Sequence, residues 1–441
     1  MSNITAALHP DERLMRKRVA RAGAIGNFIE FYDFTLYGFF AVVIAELFFP
    51  KFDSVAALLS TFALFGVGFF VRPLGAIAFG YIGDRFGRKR ALVIAVGLMS
   101  ASTAAIGVLP VHAMVGALAP GLLLICRLAQ GFSAGGEQTG AFVLVVEHSP
   151  EGERGKNAAA LIRSVIAGVG AAALLSLVMS MLTTPAQMQA WGWRVPFLVA
   201  VPLGMIGLYL RLNIEDSPVY LAAAREIEES RKHHAPIAEA FRIAGKEMLV
   251  LFGWVAMQSV AGYILVGFML SRLVTVERYP VKTALIMLIV AHLVAVIVIP
   301  AVGAWGDRVE RSTFAVTLAL ATAAWSVPAF GLLGYGAVAA TCAMSVYAVV
   351  QYSTMIVSAT AVVERFPVSV RYSASALPFQ LAYTIFGGTA PFIGTWLTSR
   401  FSHLAPAYYI AAMGILAAIL ARKAFRVSDS AVRRQPPVGC V

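Results

Sequence analysis

Charge is scarce in this chain. Only 13% of its 441 residues are Asp, Glu, Lys or Arg, and acids are the rarer sign, 23 against 35 bases. Soluble domains carry about 25% charged residues, so an ordinary water-facing surface is excluded. Cysteine is nearly missing: Cys126, Cys342 and Cys440 form an odd, scattered set that argues against a disulfide framework. No His, Cys or acid cluster has metal-ligand spacing, and neither a Ser/His/Asp set nor a phosphate-binding glycine loop is visible. An enzyme is therefore not expected, and no metal or cofactor is implied. Residues 1–21 are polar and basic with no apolar core, so no cleavable signal peptide is expected.

Apolar residues make up 59% of the chain, and the mean hydropathy is +0.78. A membrane-crossing helix needs about 20 such residues. Twelve candidate spans follow: 22–46, 54–80, 91–110, 119–147, 157–182, 193–212, 248–271, 282–304, 312–334, 336–363, 372–399 and 405–424. The net charge of +12 suggests nucleic acid only until the bases are placed. They cluster in short stretches between apolar runs, a pattern that orients a membrane protein. The loops facing the other way hold only Lys51, Arg194, Arg272, Arg278, Lys282 and Arg400. Both termini are thus expected in the cytoplasm, with no nucleic-acid partner and the lipid bilayer as solvent. The expected organisation is an N-tail (1–21), a six-helix bundle (22–212), a cytoplasmic linker (213–247), a second six-helix bundle (248–424) and a C-tail (425–441). The fold class is all-α and polytopic. A monomer is expected.

One loop, GYIGDRFGRKR at 80–90, organises the chain, and GAWGDRVER at 303–311 repeats its core about half the chain later. Two homologous halves are a common transporter plan, with the substrate site between them near the midplane. Gly80, Gly83, Asp84, Arg85, Gly87 and Arg88, with Asp307 and Arg308 of the second copy, are candidate gating residues. Asp84 could cap a helix N-terminus or pair with a base. The bland alternative is a loop that only sets topology. Two further elements support a gate: Glu147 is followed seven residues later by Arg154, and Glu364 by Arg371 at the equivalent place in the second half.

Ionisable side chains inside a span are costly unless they face a cavity or a partner. Span 1 carries Glu30 and Asp33, and Asn27, Glu30 and Tyr37 follow helical spacing with Asp33 close by. Span 2 has Arg72, span 4 has Arg127, Gln130 and Glu137, and span 5 has Arg163. The second half has no acid well inside a span, only Gln258, His292, Gln351, Tyr352, Gln380 and Tyr383. A carboxyl group holds its proton in a low-dielectric cavity and gives it up beside an arginine. Proton coupling is therefore expected in the first half, at Asp33, Glu30 or Glu137. Arg127 is the natural partner of one of these acids or of an anionic substrate group, since a guanidinium suits a carboxylate. Gln130, Tyr37 and Arg163, with Gln258, Gln351, Tyr352, Gln380 and Tyr383, are candidate substrate contacts. The competing readings are permanent Glu30–Arg72 or Glu137–Arg127 pairs, an Arg163 that snorkels to the surface, and a His292 that only packs.

With those residues in view, the chain resembles the metabolite:proton symporter family of the major facilitator superfamily. The resemblance rests on GNFIEFYDFTLYGF in span 1, FGVGFFVRPLGAIAFGYIGDRFGRKR in span 2 and its loop, and APGLLLICRLAQGFSAGGE in span 4. WGWRVPF at 191–197, EDSP at 215–218 and RFPVSVRYS at 365–373 extend it. It implies a bacterial inner-membrane symporter working by alternating access, with its acidic span-1 motif at Glu30 and Asp33 and its span-4 motif at Arg127, Gln130 and Glu137. Members carry proline and betaine, shikimate, α-ketoglutarate or citrate. Segments 119–141 and 202–211 are similar to the proline/betaine transporters, and 183–197 to the shikimate transporters. Arg127 and the additional Arg163 lead to an expected organic-acid substrate, with a proline- or betaine-like zwitterion as the alternative. A transport-inactive sensor or a proton-exchange exporter fits the motifs less well.

Overall fold

The computed structural model describes residues 10–50, 53–86, 88–135, 142, 145–147, 149–150, 152–212, 236–367 and 371–432. All of its regular structure is helical. Eight described helices are long and apolar enough to cross a membrane singly, and the bent pair Gly23–Phe39 and Ala41–Phe48 makes a ninth. The other three expected spans are present as shorter or broken helices: Val93–Val108, Leu118–Ala134, and Arg371–Ala382 continued to Arg400. The chain is an all-α polytopic protein of twelve spans in two bundles.

Expected boundaries move in two places. Helix begins at Pro10, well before the first apolar residue of span 1. Pro236–Tyr263 is one helix with a non-helical residue at Ala244, so the last part of the expected linker already leads into span 7. Residues 213–235 of that linker, like 1–9 and 433–441 of the tails, lie outside the described residues.

Several spans are bent, and the causes are local. Span 2 runs from Ser54 to Phe70, breaks at Val71 and resumes at Arg72. Pro73 has no N–H, so it cannot donate to the carbonyl of Phe69 four residues back. That carbonyl accepts instead from the Val71 N–H at the break and from Thr384 Oγ1 of span 11 at 2.9 Å. Span 1 bends by 57° around Phe40. Spans 7 and 11 each contain a turn of π-helix, Ile264–Phe268 and Tyr383–Gly387, a feature frequent at functional sites.

The halves meet where span 5 packs on spans 8 and 10, span 11 on span 2, and span 1 on span 7. Small residues set the closest approaches, as in membrane helix pairs generally. At the seam between spans 2 and 11, a Cβ on Gly66 would lie 2.7 Å from the carbonyl oxygen of Gly388. Within the first half, a Cβ on Gly131 would fall 1.7 Å from the carbonyl oxygen of Gly68. Backbone, not a side chain, blocks that space, so spans 2 and 4 can touch only with glycine there. This contact brings Arg127, one turn before Gly131, into the middle of the bundle.

Gly131→Ala should therefore force spans 2 and 4 apart at a cost of roughly 1–3 kcal/mol. The expected readout is a lower thermal midpoint for the detergent-purified protein; an unchanged midpoint would show that the helices yield freely.

Candidate functional site

Four ionisable residues meet inside the first half. Glu30, Asp33, Arg72 and Arg127 are all buried, at no more than 1% exposure. Glu30 and Arg72 form an ion pair at 3.4 Å. The Arg72 guanidinium lies 4.4 Å from the Phe34 ring centroid and 4.5 Å from that of Phe69, so part of its lost hydration is replaced by aromatic faces. Arg127 sits 4.5 Å from the Tyr37 centroid and 5.0 Å from those of Phe34 and Phe65. Its Nη1 donates to Gln130 Oε1 at 2.7 Å and its Nη2 to the Phe65 carbonyl at 3.2 Å. Among the described residues no carboxylate lies within 4 Å of it. The expected Arg127–acid pair is thus not formed with Glu30 or Asp33, because Arg72 and a glutamine take the available positions. Glu137 lies outside the described residues.

Asp33 is placed differently from Glu30. No Lys, Arg or His nitrogen among the described residues lies within 4 Å of it, and neither carboxyl oxygen has a hydrogen-bond partner. It lies close to Glu30 and within reach of the Thr103 hydroxyl. Thr103 in turn accepts from Gln130 Nε2 at 2.7 Å and donates to the Met99 carbonyl at 3.0 Å. Tyr37 donates to the Thr61 carbonyl at 3.0 Å, so its hydroxyl is committed to span 2.

The second half supplies amides and aromatic rings instead. A small cavity of about 20 Å³ is lined by Phe31, Gln258, Tyr263, Gln351, Tyr352 and Tyr383, with Gly262, Val266 and Met355. That is room for about one water molecule. Gln258 donates to the Tyr383 hydroxyl at 3.0 Å and accepts from Ser358. The buried Tyr352 hydroxyl and the Gln351 carbonyl oxygen have no partner among the described residues. His292 Nδ1 is 2.6 Å from the Leu288 carbonyl, and its ring packs edge-on to Tyr352. Four of the five expected contacts of this half therefore line one cavity. Gln380 does not: its amide donates to the Gly135 carbonyl of span 4 at 2.9 Å, linking the halves. Arg163 does not either. It is exposed on span 5, which a helix apolar on every face does not reveal. Ser358, Thr384 and Thr103 went unnoticed because a lone Ser or Thr hydroxyl in an apolar helix ordinarily bonds its own backbone, and Tyr263 because an aromatic residue in an apolar helix reads as packing.

At the basic end of the bundle the two acid–arginine elements exchange partners. Glu147 meets Arg371 at 2.5 Å, and Arg154 meets Glu364 at 3.7 Å. Each acid thus pairs with the arginine of the opposite half. Arg311 adds contacts to Glu364 at 3.0 Å and Asp307 at 3.3 Å. Asp307 accepts from the backbone N–H groups of Gly155 at 2.7 Å and Lys156 at 2.9 Å. It therefore caps, across the interface, a helix whose own preceding residue Glu153 makes no side-chain cap. Such a carboxylate satisfies orphan donors and complements the helix dipole. Arg308 is exposed, and Arg311 takes the bridging place expected of it. Gly87 and the surroundings of Gly80, Gly83, Asp84, Arg85 and Arg88 lie outside the described residues.

Arg371→Glu would set two carboxylates against each other across the halves, with Glu147→Arg as its compensating change. The single variant should lose up to about 1 kcal/mol, the scale of a partly exposed pair, and the double reversal should recover part of it. A double-mutant cycle on the thermal midpoint that shows no coupling would dissolve the pair.

Comparison with known proteins agrees with this architecture. Residues 19–239 match the family model described as "Sugar (and other) transporter". The chain is 34% identical over 417 residues to the proline/betaine transporter of Salmonella typhimurium, covering 93% of this chain and 83% of that protein. It is 35% identical to the glycine betaine/proline/ectoine/pipecolic acid transporter OusA of Dickeya dadantii, covering 94% and 84%. Among solved structures, the Escherichia coli xylose transporter XylE in a partially occluded inward-open conformation superposes with a TM-score of 0.75. That match has 18% identity and covers 93% of this chain and 97% of the other, a likeness of fold. The chain belongs to the major facilitator superfamily and is related to its proline/betaine-type metabolite:proton symporters.

Proposed function

We propose that the protein imports a small zwitterion of the betaine or proline type together with protons, by alternating access between its two bundles. The observation that carries the substrate class is the set of side chains around the small cavity, which admits one water in this conformation and must widen to take a solute. Four aromatic residues, Phe31, Tyr263, Tyr352 and Tyr383, stand around it with Gln258 and Gln351, and no charged side chain is among them. Aromatic faces attract a quaternary or secondary ammonium group. A di- or tricarboxylate would need several cations. Arg72 is engaged by Glu30 and Arg163 is exposed, which leaves Arg127 for one carboxylate. A single negative group and a cationic head suit this arrangement, and the names of the curated relatives point the same way. The organic-acid substrate expected from Arg127 and Arg163 is not retained.

In this reading Asp33 carries the proton. It is the buried acid with no base in contact, and neutralising it by protonation removes the cost of an isolated charge. Glu30, held by Arg72, maintains the local charge balance. The exchanged pairs at the basic end, with Asp307 across the span-5 helix, latch the halves there and must release when that side opens. The distribution of Lys and Arg supports an orientation with this end, and both termini, on the cytoplasmic side of a bacterial inner membrane.

The deciding experiment is a solute panel in proteoliposomes with an imposed pH gradient, glycine betaine and proline beside shikimate, α-ketoglutarate and citrate. Gradient-driven uptake of glycine betaine or proline is expected. With one proton per solute, a gradient of one pH unit sustains about tenfold accumulation. Uptake confined to the carboxylic acids would reverse the substrate assignment. Asp33→Asn should bring the accumulation ratio close to one while exchange between equal-pH compartments continues, and wild-type accumulation would remove Asp33 from coupling. Arg127→Ala should raise KM roughly ten- to a hundredfold, the loss of a charge-assisted hydrogen bond; an unchanged KM would make Arg127 a structural residue.

A further inference from the structure

Two functional groups of the first half, the proton site Asp33 and the guanidinium of Arg127, do not touch. Two neutral side chains lie between them, hydrogen-bonded to Arg127 and to each other, while no hydrogen bond reaches Asp33 among the described residues. Arg127 Nη1 donates to Gln130 Oε1 at 2.7 Å, and Gln130 Nε2 donates to Thr103 Oγ1 at 2.7 Å. Thr103 Oγ1 stands within reach of the Asp33 carboxyl group. All four residues are fully buried, so water does not compete for these bonds. These bonds run from span 4 to span 3, beside Asp33 of span 1, and have a fixed direction. Gln130 is pinned at both ends, its oxygen by a cation and its nitrogen by a hydroxyl.

The Thr103 hydroxyl is the movable part. It has one proton and, besides the bond it accepts from Gln130, two acceptors in competition. In this structure the proton goes to the Met99 carbonyl at 3.0 Å, and both Asp33 oxygens are left without a partner. A hydroxyl turns about its Cβ–Oγ bond to suit its surroundings. An ionised Asp33 is the stronger acceptor and would draw that proton away from Met99. A protonated Asp33 returns it and can donate its own O–H to Thr103 instead.

We propose that Thr103 is a positioning residue that reports the protonation state of Asp33 to Arg127 through Gln130. Thr103 gains and loses no proton; the proton that is transported resides on an Asp33 oxygen, and Thr103 only turns its own. When Asp33 is ionised, Thr103 Oγ1 is drawn toward it and Gln130 follows, which pulls on its bond to Arg127. When Asp33 is protonated, Gln130 and Arg127 hold the arrangement seen here, with Arg127 Nε still without a partner among the described residues and able to serve a substrate carboxylate. The inference rests on the reading of Asp33 as proton carrier and Arg127 as substrate ligand. It adds that solute affinity depends on pH through a threonine that is itself uncharged.

The other groups that could produce such a dependence are few. Glu30 and Tyr32 lie on the helix of Asp33, Arg72 comes from span 2, and Tyr263 from span 7. Tyr37 and Cys126 flank Arg127. Arg163 of span 5 and Tyr209 of span 6 are exposed. None of these reaches Gln130 in a hydrogen bond among the described residues; Thr103 does.

Thr103→Val keeps the shape and removes the hydroxyl, and Thr103→Ser keeps the hydroxyl. Both are reconstituted beside wild type, with glycine betaine as the test solute. Its KM is measured as a function of pH under exchange conditions, together with the accumulation ratio under a pH gradient. Thr103→Ser should follow wild type. Thr103→Val should flatten the pH profile of KM and lose about tenfold in accumulation, the worth of one hydrogen bond to a charged group, with a smaller loss in exchange rate. A Thr103→Val protein with the wild-type pH profile and accumulation overturns the inference. So does an equal loss in both variants, which would mark Thr103 as a packing residue. If Thr103→Val does not purify as a single species, Thr103→Ala takes its place with the same expectations. Wild type without gradient-driven uptake of glycine betaine or proline would fail at an earlier step. It would overturn the functional reading, and the inference with it, before any variant is compared.

Discussion

A guanidinium in the middle of a bilayer has to be solvated by the protein itself, and the first bundle is arranged around that requirement at Arg127. Its position follows from the glycine contact between spans 2 and 4. Its surroundings are three aromatic rings, a glutamine and a backbone carbonyl rather than an acid. The neighbouring Arg72 meets the same requirement with an ion pair and two rings. The two cations thus rest in unequal states, one neutralised by Glu30 and the other merely solvated. Asp33 mirrors this as the acid without a base. Among the described residues Arg127 thus has no acid committed to it and Asp33 no base, so the one is open to a solute carboxylate and the other can take and give up a proton.

The halves are related by repeat but differ in chemistry. The first concentrates charge, and the second offers amides, hydroxyls and aromatic faces around the cavity. They are held together by two sorts of contact. At the basic end the contacts are ionic and partly exposed, so each is individually weak. At mid-membrane they are hydrogen bonds from span 11 to backbone carbonyls of spans 2 and 4, together with glycine-to-backbone packing. Contacts of the first sort can break into water. Those of the second break only when something polar replaces them.

Much of this was legible along the chain. Hydropathy delimited the spans, the repeated Gly-x-x-Gly-Asp-Arg core divided the halves, and helical spacing put Glu30 and Asp33 on one stripe and Arg127 beside Gln130. These are properties of one helix at a time. What escaped lies between helices. The repeat placed Glu147 and Arg154 in one element and Glu364 and Arg371 in another, but only the packing of span 5 against spans 8 and 10 shows that the partners exchange. Arg163 stayed open between a substrate contact and a surface residue because span 5 is apolar all round, and periodicity then cannot separate its packed side from its exposed side. Thr103 carries no sign of its role, since the bond to Met99 is what any threonine in a helix makes.

The bend at Val71 has a further consequence. Pro73 leaves the Phe69 carbonyl without its helical donor in every conformation, because the missing N–H is a covalent fact. In this structure Thr384 of the other bundle discharges the debt. Once span 11 swings away from span 2, that oxygen keeps only the short-range Val71 N–H, and its other lone pair is open to water or to a polar group of the solute. Separation of the bundles at this depth therefore favours wetting. A proline in one half thus draws water toward the midplane as the conformation changes.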